Sequence, residues 1–176
     1  MDYRRVFVEN SCVHLIIVAY NRSPIFLEHV NLLKKSFKNA KQFFSFEIIA
    51  ICVLPTHIHL LIKPKRIEDY PKIITSIKYY FSRNFTVGVE TPTYGYLNKK
   101  EKGLFQRRFY EHTIRTEEEL NNHINYIHYN PVKHNLVDKV RDWEFSSFHR
   151  FVVDGFYEEN WGSLKDIETI KSLDFD

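Results

Sequence analysis

With 176 residues, 44% of them hydrophobic and 16% aromatic, the chain suits one well-packed domain with a tail and leaves too little for two. A formal charge of +3 and a pI near 8.7 do not argue for nucleic acid through net charge. The longest apolar runs, Val13–Tyr20 and Ile48–Leu54, fall far below the ~20 residues of a membrane span, which excludes a helical membrane protein and predicts no membrane partner. The start, MDYRRVFVEN, lacks the apolar core of a signal peptide, and Cys12 and Cys52 sit in apolar runs as buried hydrophobes rather than as a disulfide or metal ligands, so a cytoplasmic protein is expected. Charge is clustered even so, with bases at Arg4–Arg5, at Lys63, Lys65 and Arg66, at Lys99, Lys100 and Lys102, and at Arg107–Arg108.

In chain order, the apolar, β-rich run 11–20 predicts a central strand, closed by the turn signal Asn21-Arg22-Ser23-Pro24. From Ile25 to about Phe44, Phe26, Leu27, Val30, Leu33 and Phe37 recur at helical spacing. Phe46–Leu54 and His57–Lys63 read as two strands paired in a hairpin around Pro55-Thr56. A second helix is expected from Glu68 to Phe85, a polar loop over Thr86–Lys102 and a fourth strand over 104–114. Thr116 and Glu119 form a capping box for a third helix, in which Leu120, Ile124 and Ile127 make an apolar stripe. Pro131 lacks an N–H and disfavours helical geometry at Asn130, so this helix is expected to stop there. An acidic tail follows, with a weak helix near 164–173.

Strand–helix–strand–strand–helix–strand is the order of a ferredoxin-like split βαβ unit: an α+β fold with a four-stranded antiparallel sheet and two helices on one face. The Thr116 helix is then an addition, placed against the other sheet face or along its edge. Residues 1–150 form the expected domain and 151–176 a C-terminal extension.

Two features carry chemistry. Side chains alternate along a strand, so His57 and His59 share one face, about 6.5–7 Å apart, and can converge on one cation. On the third helix Tyr126 and Asn130 are four residues apart, hence neighbours off the apolar stripe, at a helix end a ligand could reach. Asn130 offers a carbonyl oxygen as a third ligand, and Tyr126 is a nucleophile of the kind that forms covalent intermediates. Spacing alone does not show that the two features meet.

Four ordered segments bring them together. LPTHIHLL at 54–61, GLFQRRFYEHTIRTEEEL at 103–120, YIHYNPVKHNLV at 126–137 and DWEFSSFHRFVVDGFYEENW at 142–161 resemble the REP-associated tyrosine transposases, within the insertion sequence 200-like, single-tyrosine group of HUH nucleases. The resemblance runs from Tyr3 to Trp161. It implies a ferredoxin-like fold, a divalent cation (Mg²⁺ or Mn²⁺), and cleavage of single-stranded DNA beside palindromic hairpins through a 5′-phosphotyrosine and a free 3′-OH. His57 and His59 match that family's metal histidines, Asn130 its helix-borne ligand and Tyr126 its nucleophile. By general coordination chemistry, two imidazoles suit zinc or later transition metals better than Mg²⁺. Phe105 and Tyr110 stand where relatives often carry tryptophan, and Asn135 stands where glycine is common after Lys-His.

Single-stranded or hairpin DNA is therefore the expected partner. No obligate protein partner is evident, and a homodimer stays open. Tyr3, Arg4 and Arg5 resemble the family's recognition arm, and an arginine fork can read guanine edges or clamp phosphate. Arg107, Arg108, Arg115 and Lys133 bracket the catalytic stretch as candidate phosphate contacts. The rival expectation is a ferredoxin-like nucleic-acid-binding module without catalysis, which would have no need to keep two histidines, Tyr126 and Asn130 together.

Overall fold

A computed structural model of the chain describes residues 7–86 and 103–162. Tyr3, Arg4 and Arg5, the loop and lysines up to residue 102 and the helix expected near 164–173 lie outside the described residues. The elements run β1 (Val13–Val18), α1 (Val30–Phe43), β2 (Phe46–Val53), β3 (His57–Pro64), α2 (Tyr70–Asn84), β4 (Tyr110–Thr113), α3 (Glu117–Lys133) and α4 (Phe148–Val153). The four strands form one antiparallel sheet in the order β2-β3-β1-β4, which is the expected split βαβ arrangement.

Strand alternation sorts the two faces. Val13, Leu15 and Ile17 of β1 and Ile58, Leu60 and Ile62 of β3 pack under Leu33, Phe37 and Ala40 of α1 and Ile73, Ile74, Ile77 and Phe81 of α2. On the opposite face Ala50, Cys52 and Leu61 meet Ile124 and Ile127 of α3, so the added helix covers the second face of the sheet. His57 and His59 necessarily point to this second face, because their neighbours Ile58 and Leu60 are committed to the first. Cys52 is buried there and Cys12 half-buried, both as free thiols.

Three boundaries differ from the sequence expectation. The first helix begins at Val30 and not at Ile25, because Ile25 and Phe26 are drawn into the core and the Phe26 N–H is taken by Pro55 O (3.2 Å). The fourth strand is cut to Tyr110–Thr113. Phe105 bridges Ala19 and Tyr110 pairs with Ile16, so the stretch containing Arg107 and Arg108 has two residues too many to stay in register and bends out.

The third correction concerns the helix end. α3 does not stop at Asn130; it runs through Pro131 to Lys133. Pro131 deletes one bond, to the Ile127 carbonyl, one turn from the end, while the Asn130 side chain adds one by donating Nδ2–H to Tyr126 O (2.8 Å). The actual stop is a Schellman motif at Asn135: φ is +55° there, Leu136 N–H bonds Pro131 O (2.9 Å) and Asn135 N–H bonds Val132 O (3.0 Å). At the other end the capping box is present, with Thr116 Oγ1 accepting from Glu119 N–H (3.1 Å) and Glu119 Oε2 from Arg115 N–H (2.6 Å).

The chain after α3 closes the far face. Ser147 N–H bonds Ile51 O (2.8 Å), Val53 N–H bonds Phe145 O (2.8 Å) and the Arg150 guanidinium reaches Ile48 and Ile49 carbonyls, which covers the open edge of β2. Phe148, Phe151 and Tyr157 surround His128 of α3, whose Nε2 lies 2.8 Å from Ser147 Oγ. Burial, with a smaller contribution from Arg150, lowers His128 from 6.5 to about 3. The unfolded chain therefore takes up this proton near 6.5 while the folded one refuses it until about 3, so stability should fall as pH drops below about 6.5. Thermal melts between pH 7.5 and 4 should show this decline, and His128→Gln should flatten part of it; an unchanged slope in the variant would remove His128 as its source.

Candidate active site

α3 crosses the sheet so that its last two turns lie over the His57–His59 end of β3. The ligand atoms of His57, His59 and His134 lie within 4.8 Å of one another, with the His57 ring 5.0 Å from both the His59 and His134 rings. His134 is the C-cap of α3, and it is there because the helix continues past Pro131. The outer nitrogens of the two strand histidines are tethered: Nδ1 of His57 lies 2.9 Å from Thr56 Oγ1, and Nδ1 of His59 lies 3.4 Å from His14 Nε2. Nε2 is the remaining ring nitrogen of each, and both Nε2 atoms are buried.

Tyr126 is only 1% exposed, its ring 5.6 Å from that of His59. Its hydroxyl accepts a hydrogen bond from Lys133 Nζ (2.7 Å), which also sits 4.8 Å from the ring centroid. Asn130 is fully buried; its Nδ2 is spent on Tyr126 O, and its Oδ1 has no hydrogen-bond partner among the described residues. A buried amide oxygen left so is costly, and a cation is one way to satisfy it. Three converging imidazoles, two of them with a buried Nε2, fit a divalent cation, and the buried Asn130 Oδ1 is a candidate for a further donor.

The sequence candidates sort accordingly. His57, His59 and Tyr126 come together, with Asn130 one turn beyond Tyr126. The pair Tyr126/Asn130 is inside the molecule rather than on an accessible helix end, because the 143–162 segment and Lys133 pack around α3. Lys133, expected as a phosphate contact, lies at the Tyr126 hydroxyl. Arg107, Arg108 and Arg115 are exposed. His134 was not expected as a ligand; the signal for it was Asn135, a residue tolerant of positive φ that marks the true helix end.

A second cluster, His112, Glu119 and His123, has ligand atoms within 4.8 Å of one another, but His112 Nε2 and Glu119 Oε1 are directly hydrogen-bonded at 2.5 Å, which closes the space a cation would need. Against its own desolvation, Arg115 N–H and His112 hold the Glu119 carboxyl below its ordinary value. Desolvation, reinforced by His112 and partly opposed by Glu119, lowers His123 to about 4.

A four-stranded sheet backing paired histidines and a tyrosine-bearing helix is the arrangement that the resemblance to the HUH nucleases implied, and comparison with known proteins gives the family. Residues 7–130 match the family model described as Transposase IS200 like. A Haemophilus influenzae protein assigned as a REP-associated tyrosine transposase is 38% identical over 169 residues, covering 95% of this chain and 96% of its own. The Escherichia coli K12 REP-associated tyrosine transposase is 32% identical, covering 91% and 90%. A solved structure of a REP-associated tyrosine transposase bound to a REP hairpin superposes with a TM-score of 0.78 at 30% identity, covering 93% of this chain and 92% of that one. The chain belongs to the IS200-like transposase family, among its REP-associated tyrosine transposases. It is therefore an enzyme of the tyrosine transposase type, and the rival of a non-catalytic binding module falls. No helix among the described residues is long and apolar enough to cross a membrane.

Proposed function

We propose that this chain is a metal-dependent single-stranded DNA endonuclease and strand transferase that acts beside palindromic hairpin DNA through Tyr126. The observation that carries this reading is the placement of the Tyr126 ring against His59 with a lysine ammonium on its hydroxyl. Hairpin DNA is supported by the relative bound to a REP hairpin. His57, His59, Asn130 and His134 would hold the cation, and this donor set favours Mn²⁺ over Mg²⁺. When bound, the cation would polarise the scissile phosphodiester.

The protein's own groups do the rest. The Tyr126 oxygen attacks phosphorus, forming the P–O(Tyr) bond as the P–O3′ bond breaks; the phenolic proton is lost to solvent and the 3′ oxygen takes one up. A free phenol ionises near pH 10, so it needs help at neutral pH, and the Lys133 ammonium stabilises the phenolate, the form that attacks. A later attack by a 3′-OH on the phosphotyrosine reverses the exchange and joins strands. Arg107, Arg108 and Arg115, with Tyr3, Arg4 and Arg5 as an N-terminal arm, would contact DNA. Residues 1–150 form the nuclease unit and 151–176 its extension, acting on DNA in the cytoplasm.

The test is a labelled single-stranded hairpin with flanks, incubated with the protein and Mn²⁺. Cleavage leaving a 3′-OH and a protein-linked 5′ end is expected; cleavage leaving a free 5′-phosphate would contradict the covalent route. Lys133→Met should slow cleavage by about 10²-fold at neutral pH and recover part of the loss at alkaline pH, where the phenol ionises unaided. A uniform loss at every pH would instead assign Lys133 to phosphate binding.

A further inference from the structure

His14 and His123 are buried imidazoles that the phosphoryl chemistry leaves unused. A buried ring needs both nitrogens satisfied, and a hydrophobic residue would serve packing better, so their cost calls for a purpose. They form a line. His14 Nε2 lies 3.4 Å from His59 Nδ1, and His14 Nδ1 lies 2.9 Å from His123 Nδ1. The His14 and His123 rings meet edge-on at 4.9 Å, and His112 stacks on His123 at 5.0 Å, with its Nε2 on Glu119. The line thus crosses from β3 through β1 to α3 and ends at the capping carboxylate of α3.

We propose that His14 and His123 are positioning residues: a directional chain of imidazoles that holds His59 in the tautomer whose Nε2 is bare and able to bind a cation. The inference rests on the cation site proposed above. With each ring in its neutral form and carrying one proton, the two hydrogen bonds can run in only two concerted directions. With His59 protonated at Nδ1, that nitrogen donates to His14 Nε2, His14 Nδ1 donates to His123 Nδ1, and the His123 proton sits on Nε2. Run the other way, every proton shifts to the opposite nitrogen and His59 Nε2 carries N–H where the cation should be. Negative charge at the outer end decides between them. The Glu119 carboxylate, pinned by Arg115 N–H, belongs to a cluster whose ligand atoms, one from His123, lie within 4.8 Å of each other, and it favours an N–H at that end. Thr56 Oγ1, 2.9 Å from His57 Nδ1, can accept from that nitrogen when it is protonated.

The test combines Mn²⁺ titration followed by electron paramagnetic resonance with nitrogen NMR of ¹⁵N-histidine protein loaded with diamagnetic Cd²⁺. His14→Leu should weaken Mn²⁺ binding roughly 10- to 100-fold, and His14→Gln, whose amide oxygen can accept from His59 Nδ1–H, should return it to within about threefold of wild type. In the wild-type protein, His59 Nδ1 and His14 Nδ1 should both give protonated-nitrogen signals. Wild-type affinity in a folded His14→Leu protein, equal losses in Leu and Gln variants, or an N–H at His14 Nε2 would overturn the proposal. If His14→Leu does not fold, the wild-type tautomers decide. Failure of the cation site itself looks different: wild type would bind no Mn²⁺, or His57→Ala would bind it unchanged.

Discussion

Tyr126→Phe is expected to abolish the covalent protein–DNA adduct and to lower cleavage by about 10⁴-fold or more, since no other group replaces a lost nucleophile. The reason is local. Phenylalanine keeps the ring against His59 and His14, so the fold and the histidine cluster persist, and only the oxygen 2.7 Å from Lys133 Nζ is lost. The stability cost of that charged hydrogen bond is about 1.5–3 kcal/mol, small enough to leave a folded protein. DNA binding should survive, because phosphate contacts supply most of it. An adduct of undiminished yield in the variant would place the nucleophile elsewhere; the chain has ten other tyrosines to search.

The second large effect concerns the cation. His57→Ala and His59→Ala each remove one of three converging imidazoles, and cleavage should fall by about 10²–10³-fold, the scale of several kcal/mol of charge stabilisation. Mn²⁺ affinity should drop alongside, while hairpin binding measured without the cation stays near wild type. His134→Ala should reproduce the affinity loss, which a helix ending at Asn130 would not give. Cleavage and Mn²⁺ affinity both unchanged in His57→Ala would remove the metal role of β3.

How much of this was legible in the sequence depends on the range of each signal. The strand alternation of HIHLLIK put His57 and His59 on one face, and the sheet confirms it because Ile58, Leu60 and Ile62 had only one core to enter. The Thr116 capping box was equally readable, being local. Pro131 misled, because a proline stop is a statement about one hydrogen bond, whereas Asn130 Nδ2 and the Schellman turn at Asn135 together carried the helix one turn further. That extra turn delivers Lys133 to Tyr126 and His134 to His57, so neither contact was legible, and for the same reason. His14 left a fainter trace, a single imidazole within the apolar run VHLIIV. Its partners, His59, His123 and the β4 neighbour His112, come from three distant stretches, and only the sheet register of β1 between β3 and β4, together with the docking of α3 on that face, brings them to it.

The most direct test of the central claim is peptide mapping of the adduct. Trypsin cuts after Arg115 and Lys133, so the nucleophile should ride on the Thr116–Lys133 peptide, and fragmentation should place the 5′-phosphodiester on Tyr126. A nucleotide mass on Tyr129 of the same peptide, or on a tyrosine of any other peptide, would contradict the account.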